Sequence, residues 1–144
     1  AQALAVLAGS AVTADAFDVA RPEPSGTQQE RALRLALERA DLDAGRIGHV
    51  NAHATGTKQN DSAEARAIAD LFGSNTPVIG TKGYTGHTLG AAGATEAVFV
   101  LESLRRRLIP ASLGCEPVDP DVAVHVLNTK RVALAKLKRA LNAG

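Results

Sequence analysis

Apolar positions fall into short runs separated by amphipathic stretches, the order expected of strands alternating with helices. Leu4 to Val12 is an apolar run of strand length, predicted to be a buried strand, and Arg21-Pro22-Glu23-Pro24-Ser25-Gly26 breaks regular structure after it. Thr27 and Glu30 have capping-box spacing. Behind them Leu33, Ala36, Leu37 and Ala40 share one helical face, while Glu30, Arg34 and Glu38 point elsewhere. Ile47 to Ala52 reads as a second strand. Asp61, three residues before Glu64, reads as the cap of a helix that runs through Phe72 and is closed by Gly73. Pro77 to Thr81 predicts a third strand. Leu89 to Leu104, small or apolar almost throughout, predicts a helix buried on most sides. Val122 to Leu127 is a fourth strand candidate, and Arg131 to Leu141 fits strand alternation and helical spacing equally.

This order predicts an α/β layered sheet, in which a functional crevice lies beyond the carboxyl ends of strands. Two histidines occupy such places: His53 after the second strand and His87 in the turn after the third. His49 and His125 lie inside strand patterns, as packing or edge residues. The 144 residues fit one domain, without internal repeats or a low-complexity linker.

Composition narrows the function. Sixteen Lys plus Arg against fifteen Asp plus Glu leave a net charge of +1 with no long block of either sign, so nucleic acid and acidic lipid are not implied partners. Arg105 to Arg107 and Lys130 to Arg139 read as solvated faces, with a docking patch for an acidic partner as the alternative. Three Phe, one Tyr and no Trp make base stacking an unpromising function. A single cysteine excludes an internal disulfide and fits a reducing compartment, so a cytoplasmic location is expected. No apolar run approaches the ~20 residues of a membrane span, and the opening AQALAVLAGSAV lacks the basic flank of a secretion signal.

The chemistry concentrates in two windows, VNAHATGT (Val50 to Thr57) and KGYTGHTLGAAG (Lys82 to Gly93). In the first, small residues around His53 let a substrate approach the backbone, although a histidine that only hydrogen-bonds a turn fits as well. In the second, His87 stands near the start of a helix, whose positive end disfavours an imidazolium. Two neutral imidazoles aimed at one point could donate N–H groups to a developing oxyanion. Zinc is the competing use of paired histidines, but no Cys or acidic residue stands at ligand spacing. Neither GxxxxGK[ST] nor GxGxxG is present, so a nucleotide or other cofactor is not expected.

Together, VNAHATGT and TKGYTGHTLGAAGATEA resemble the carboxyl-terminal half of a β-ketoacyl-acyl carrier protein synthase of the elongating type, where the windows read close to NAHGT(G/S)T and TK(S)xxGHTxGAAGxxE. AVTADAFDVARPEPSG, NDSAEARAI and LIPASLGCEPVDP are similar to the segments around them, so the likeness spans nearly the whole chain. It implies a thiolase-like half with a layered mixed β-sheet flanked by helices, one of them a buried Gly/Ala-rich helix. It also implies decarboxylative condensation of an acyl thioester with malonyl-acyl carrier protein, in fatty acid or polyketide synthesis. By the same resemblance His53 and His87 bind the malonyl thioester, and Lys82 and Glu96 support them as a charge-compensating pair. Thr55 and Thr57 contact the pantetheine arm, while Asn51 and Glu96 help hold a structural cation.

The family's nucleophilic cysteine belongs to an amino-terminal half. Cys115, in the IPASLGCEPVDP loop, reads as structural. The implied partners are acyl carrier protein, malonyl-acyl carrier protein, the Cys-bearing half, and a second subunit in a homo- or heterodimer. The chain is expected to be a fragment or separate half without the final GFGG strand, inactive alone. A non-catalytic scaffold or chain-length partner of a ketosynthase is the alternative reading. One departure from the pattern lies beside the first histidine, where Ala54 replaces the family's usual glycine.

Overall fold

The computed structural model describes residues 3–128 and, beyond them, the strands at 132–133 and 141–142. In chain order the elements are α1 (Thr27–Ala40), β1 (Val50–Ala52), α2 (Lys58–Phe72), β2 (Pro77–Gly80), the short α3 (Lys82–Thr85), α4 (Ala92–Arg106), β3 (Leu108–Ile109), β4 (His125–Val126), β5 (Val132–Ala133) and β6 (Leu141–Asn142). Single 3₁₀ turns lie at Ala44–Arg46 and Leu89–Ala91.

A four-stranded sheet runs β4-β2-β1-β6 with every pairing parallel, and β3 pairs antiparallel with β5 in a second sheet. Parallel neighbours need a crossover, and α2 supplies the one between β1 and β2. The α/β expectation therefore holds, with the two strand orientations in separate sheets rather than mixed in one.

Successive strand residues face opposite ways, and the core divides accordingly. Val50, Ala52 and Val78 meet Leu33 of α1 and Ile68 of α2 on one face. Ile79, with Ile109, Leu127 and the partly buried Leu104 of α4, fills the other. Asn51, fully buried between Val50 and Ala52, points to the α4 side. Truncating Ile68, only 1% exposed, to Ala removes a plug between α2 and the sheet, a change that costs about 2–5 kcal/mol.

Three local expectations need correction. Leu4 to Val12 is not a strand: it forms no regular element, and Leu4, Val6, Leu7 and Val12 are more than four-fifths exposed (83%, 84%, 85% and 93%). The segment lies along α1 instead of beside a strand. A Cβ on Gly9 would come within 2.3 Å of the Ala36 carbonyl, the Arg39 guanidinium donates to the Ser10 carbonyl (2.6 Å), and Thr13 donates to the Gln28 carbonyl (2.7 Å). An apolar run has strand length but becomes a strand only when a neighbour takes its backbone hydrogen bonds.

Neither expected capping box forms. Gly26 precedes α1 with φ 74°, its carbonyl taking the Glu30 N–H, and no side chain caps the helix. Asp61 lies inside α2, its N–H bonded to the Thr57 carbonyl. Gly73 does close α2, donating to the Ala69 carbonyl. Finally, α4 starts three residues later than expected and hides Ala92, Glu96 and Ser103, leaving Val98 59% exposed. A helix lying on one sheet face buries a stripe, not its circumference. His125 is exposed on edge strand β4, whereas His49 is wholly buried before β1. The rest of Arg131 to Leu141 lies outside the described residues.

Candidate active site

Adjacent parallel strands β1 and β2 end side by side, and each chain exit delivers one end of the site. After Ala52 the chain turns through His53 and Ala54 (φ 41°) to Thr55, with Thr57 the residue preceding α2. After Gly80 it enters α3 at Lys82, then passes Gly86 to His87. The result is two imidazoles with centroids 5.2 Å apart and planes at 88°, edge to face.

Lys82 organises the first ring. Its ammonium has three protons and no acceptor, and it meets three acceptors: His53 Nδ1 (3.2 Å), the His53 carbonyl and Glu96 Oε1. An ammonium must donate, so Nδ1 accepts and the ring proton sits on Nε2. Burial first, then the positive charge of Lys82, holds the His53 pKa below the usual imidazole value, opposed by Glu96. His87 reaches the same tautomer by another route: the backbone N–H of Leu89 donates to its Nδ1 at 3.1 Å. That bond lies in the 3₁₀ turn ahead of α4, so His87 is placed by a local turn and not at the first residue of a long helix.

Thr55 and Thr57 share a hydrogen bond at 2.9 Å. Thr55, Lys82 and His87 line a cleft of about 580 Å³ that continues past Glu64 and Cys115, while His53 and Thr57 stand outside its walls. Asn51 and Glu96 lie behind the site. Glu96 is 2% exposed, and its Oε2 has no partner among the described residues. An orphaned buried carboxylate oxygen suits a cation, yet among the described residues no group of three or more His, Cys, Asp or Glu is arranged to bind one. Any cation there would need amide or carbonyl oxygens to complete its shell. Cys115 is half-buried, its thiol donating weakly to the Ser112 carbonyl, and burial raises its pKa, the opposite of an activated nucleophile.

Sequence reasoning assigned Glu64 to a helix cap. The structure instead turns it inward: Oε1 accepts the His53 N–H (2.7 Å) and Oε2 the Ala54 N–H (2.9 Å). Burial raises its pKa to about 7 against the pull of those two N–H groups. The available signal was its place among Ala63, Ala65, Ala67 and Ile68, a set of small and apolar positions that marks the hidden face of α2. Ser112 was also missed; its hydroxyl accepts the Gly80 N–H (3.0 Å) and ties the 112–115 loop to the end of β2.

The helices and parallel sheet that carry these residues have the α/β fold of thiolase-like ketosynthases. The chain belongs to the family described as beta-ketoacyl synthase, C-terminal domain, whose model matches residues 4–116. It is 39% identical over 128 residues to 3-oxoacyl-[acyl-carrier-protein] synthase 2 of Mycobacterium tuberculosis, covering 88% of this chain and 31% of that protein. Its backbone is similar to a beta-ketoacyl synthase from Burkholderia phymatum STM815 (TM-score 0.84, 37% identity, 88% of this chain and 31% of that one). It is also similar to a chain of the complex between the ketosynthase ApeO and its chain length factor ApeC from Xenorhabdus doucetiae (TM-score 0.79, 40% identity, 90% of this chain and 33% of that one). The chain thus spans about a third of the length of these proteins. Among the described residues no helix is long and apolar enough to cross a membrane.

Proposed function

We propose that the chain supplies the His–His half of a decarboxylative Claisen condensation, in which malonyl-acyl carrier protein extends an acyl thioester by two carbons. The nucleophilic cysteine comes from an amino-terminal half. The observation carrying this reading is the 5.2 Å approach of two imidazoles whose Nδ1 atoms both face donors. Each ring then offers Nε2–H. Two such groups on one thioester oxygen stabilise the charge that develops there, at roughly 3–4 kcal/mol for each good donor.

The electron count is simple. The malonyl C–C bond breaks, CO₂ leaves, and the electron pair enters an enolate whose oxygen is held by His53 and His87. The enolate carbon bonds to the acyl carbonyl carbon held on cysteine, the C–S bond breaks, and thiolate is released. Neither ring gives up its proton, which suits a His53 whose pKa is held low by burial and by Lys82. Thr55 and Thr57 are the proposed contacts for the pantetheine arm. Asn51 and Glu96 are the proposed holders of a structural cation, which would neutralise the Glu96 oxygen that Lys82 does not reach.

Combined with a Cys-bearing half, the chain should condense malonyl and acyl carrier protein substrates within a cytoplasmic homo- or heterodimer. His53→Ala and His87→Ala should each abolish decarboxylation with assembly intact; retained turnover in both variants overturns the proposal. A second reading is a non-catalytic scaffold or chain-length partner, since one similar solved structure is a complex of a ketosynthase with its chain length factor. Under that reading the histidine variants would lose complex stability and no decarboxylation would be there to lose.

A further inference from the structure

We propose that Glu64 is a positioning residue for His53, clamping the chain at the exit of β1 so that the imidazole faces His87. This rests on the condensation reading for its functional consequence and on geometry alone for the clamp.

Two consecutive peptide groups flank His53, and charged side chains grip both. The His53 N–H, from the first peptide, donates to Glu64 Oε1, and the Ala54 N–H, from the second, donates to Glu64 Oε2. The carbonyl of the second peptide accepts from Lys82 Nζ. Above about pH 7, where Glu64 is ionised, that peptide has a carboxylate at its N–H end and an ammonium at its C=O end, the arrangement that opposes its own dipole most favourably. Charge-assisted bonds of this kind are about twice as strong as neutral ones. They fix the backbone from which the His53 ring projects, at a point where Ala54 is in the left-handed region and prone to relax.

The carboxylate suits this task better than its nearest substitutes. Glutamine keeps the shape but offers one acceptor, turning its NH₂ towards an N–H. Aspartate keeps the charge but withdraws it by one methylene. A carboxylate only 7% exposed is costly to bury unless its oxygens are satisfied, and here each has one backbone donor. Glu64 comes from α2, not from either strand exit, so a rigid helix sets the angle of the site.

The test uses the chain assembled with its Cys-bearing half and the variant Glu64→Gln, with Glu64→Asp in its place should the first not fold. Amide resonances of His53 and Ala54 are expected to move upfield and the ring-to-ring nuclear Overhauser contact between His53 and His87 to weaken. The kcat for malonyl-carrier decarboxylation should fall about a hundredfold with KM within about twofold. Unmoved amides, full kcat despite moved amides, or a loss carried by KM each overturn the clamp. Resonances and ring contact do not depend on turnover. An active His53→Ala would therefore sink the condensation reading alone, whereas unmoved amides beside an inactive His53→Ala would sink the clamp alone.

Discussion

Lys82 and Glu96 form an ion pair with side chains 6% and 2% exposed, on the two elements that flank His87. Removing one member of such a pair strands the other as an uncompensated buried charge, at about 3–5 kcal/mol, whereas replacing both by apolar groups of like volume is often close to neutral. Lys82→Met should therefore destabilise the chain by about that amount in urea denaturation, and Lys82→Met with Glu96→Leu should recover most of it. A double variant as unstable as the single one would show that the pair is not the source.

Ala54 has φ 41°, and its methyl lies where a Cβ on Gly80 would come within 2.8 Å of it. A left-handed conformation costs an L-residue about 1–2 kcal/mol, offset in part by the extra unfolded-state entropy of glycine, about 0.5–1 kcal/mol. Ala54→Gly should raise stability by a few tenths to about 1 kcal/mol, measured as a shift in the urea midpoint at constant slope. Gly80→Ala should lower it.

Two buried groups push stability in opposite directions with pH. Burial lifts Glu64 from 4.5 to about 7, so the native state holds its proton longer than the unfolded one, and stability falls as pH rises from about 4.5 to 7. Burial lowers His49 from 6.5 to about 4, so the unfolded state takes the proton first, and stability rises as pH climbs from about 4 to 6.5. Each span corresponds to about 3 kcal/mol, and the two cancel over their overlap. His49→Leu should expose the falling slope and Glu64→Gln the rising one, read from urea midpoints relative to the parent between pH 4 and 7.5. Parallel profiles in both variants would refute the opposition.

Cys115 lines the cleft with a thiol whose pKa burial has raised. Iodoacetamide should label it more slowly than free cysteine at pH 7.5, and Cys115→Ser in the assembled protein should retain condensation activity. Activity abolished by this one substitution would reopen its role.

Much of the site was legible because its chemistry sits where strands end. Val50 to Ala52 and Pro77 to Gly80 could be read from apolar runs, and the windows after them hold the residues that meet in space. What escaped depends on partners distant in sequence. The run from Leu4 to Val12 has strand composition, but Gly9 settles against α1 and the backbone finds no strand. Glu64 and Asp61 have capping spacing, but the Glu64 carboxylate is taken by two N–H groups back along the chain. The exposure of Val98 could not be read from α4 itself, since apolar composition does not say how many sides are covered.

The two imidazoles owe their orientation to donors of different kinds, a side chain for His53 and the main chain for His87. Any exchange at position 82 alters the first ring's partner. At position 89 every residue but proline carries the same peptide hydrogen, but it is aimed by a left-handed backbone (φ 52°) that β-branched residues resist. One half of the pair is therefore open to retuning through the chemistry of a side chain and the other only through the conformation of the main chain, an asymmetry through which related chains could diverge in reactivity without rebuilding the site.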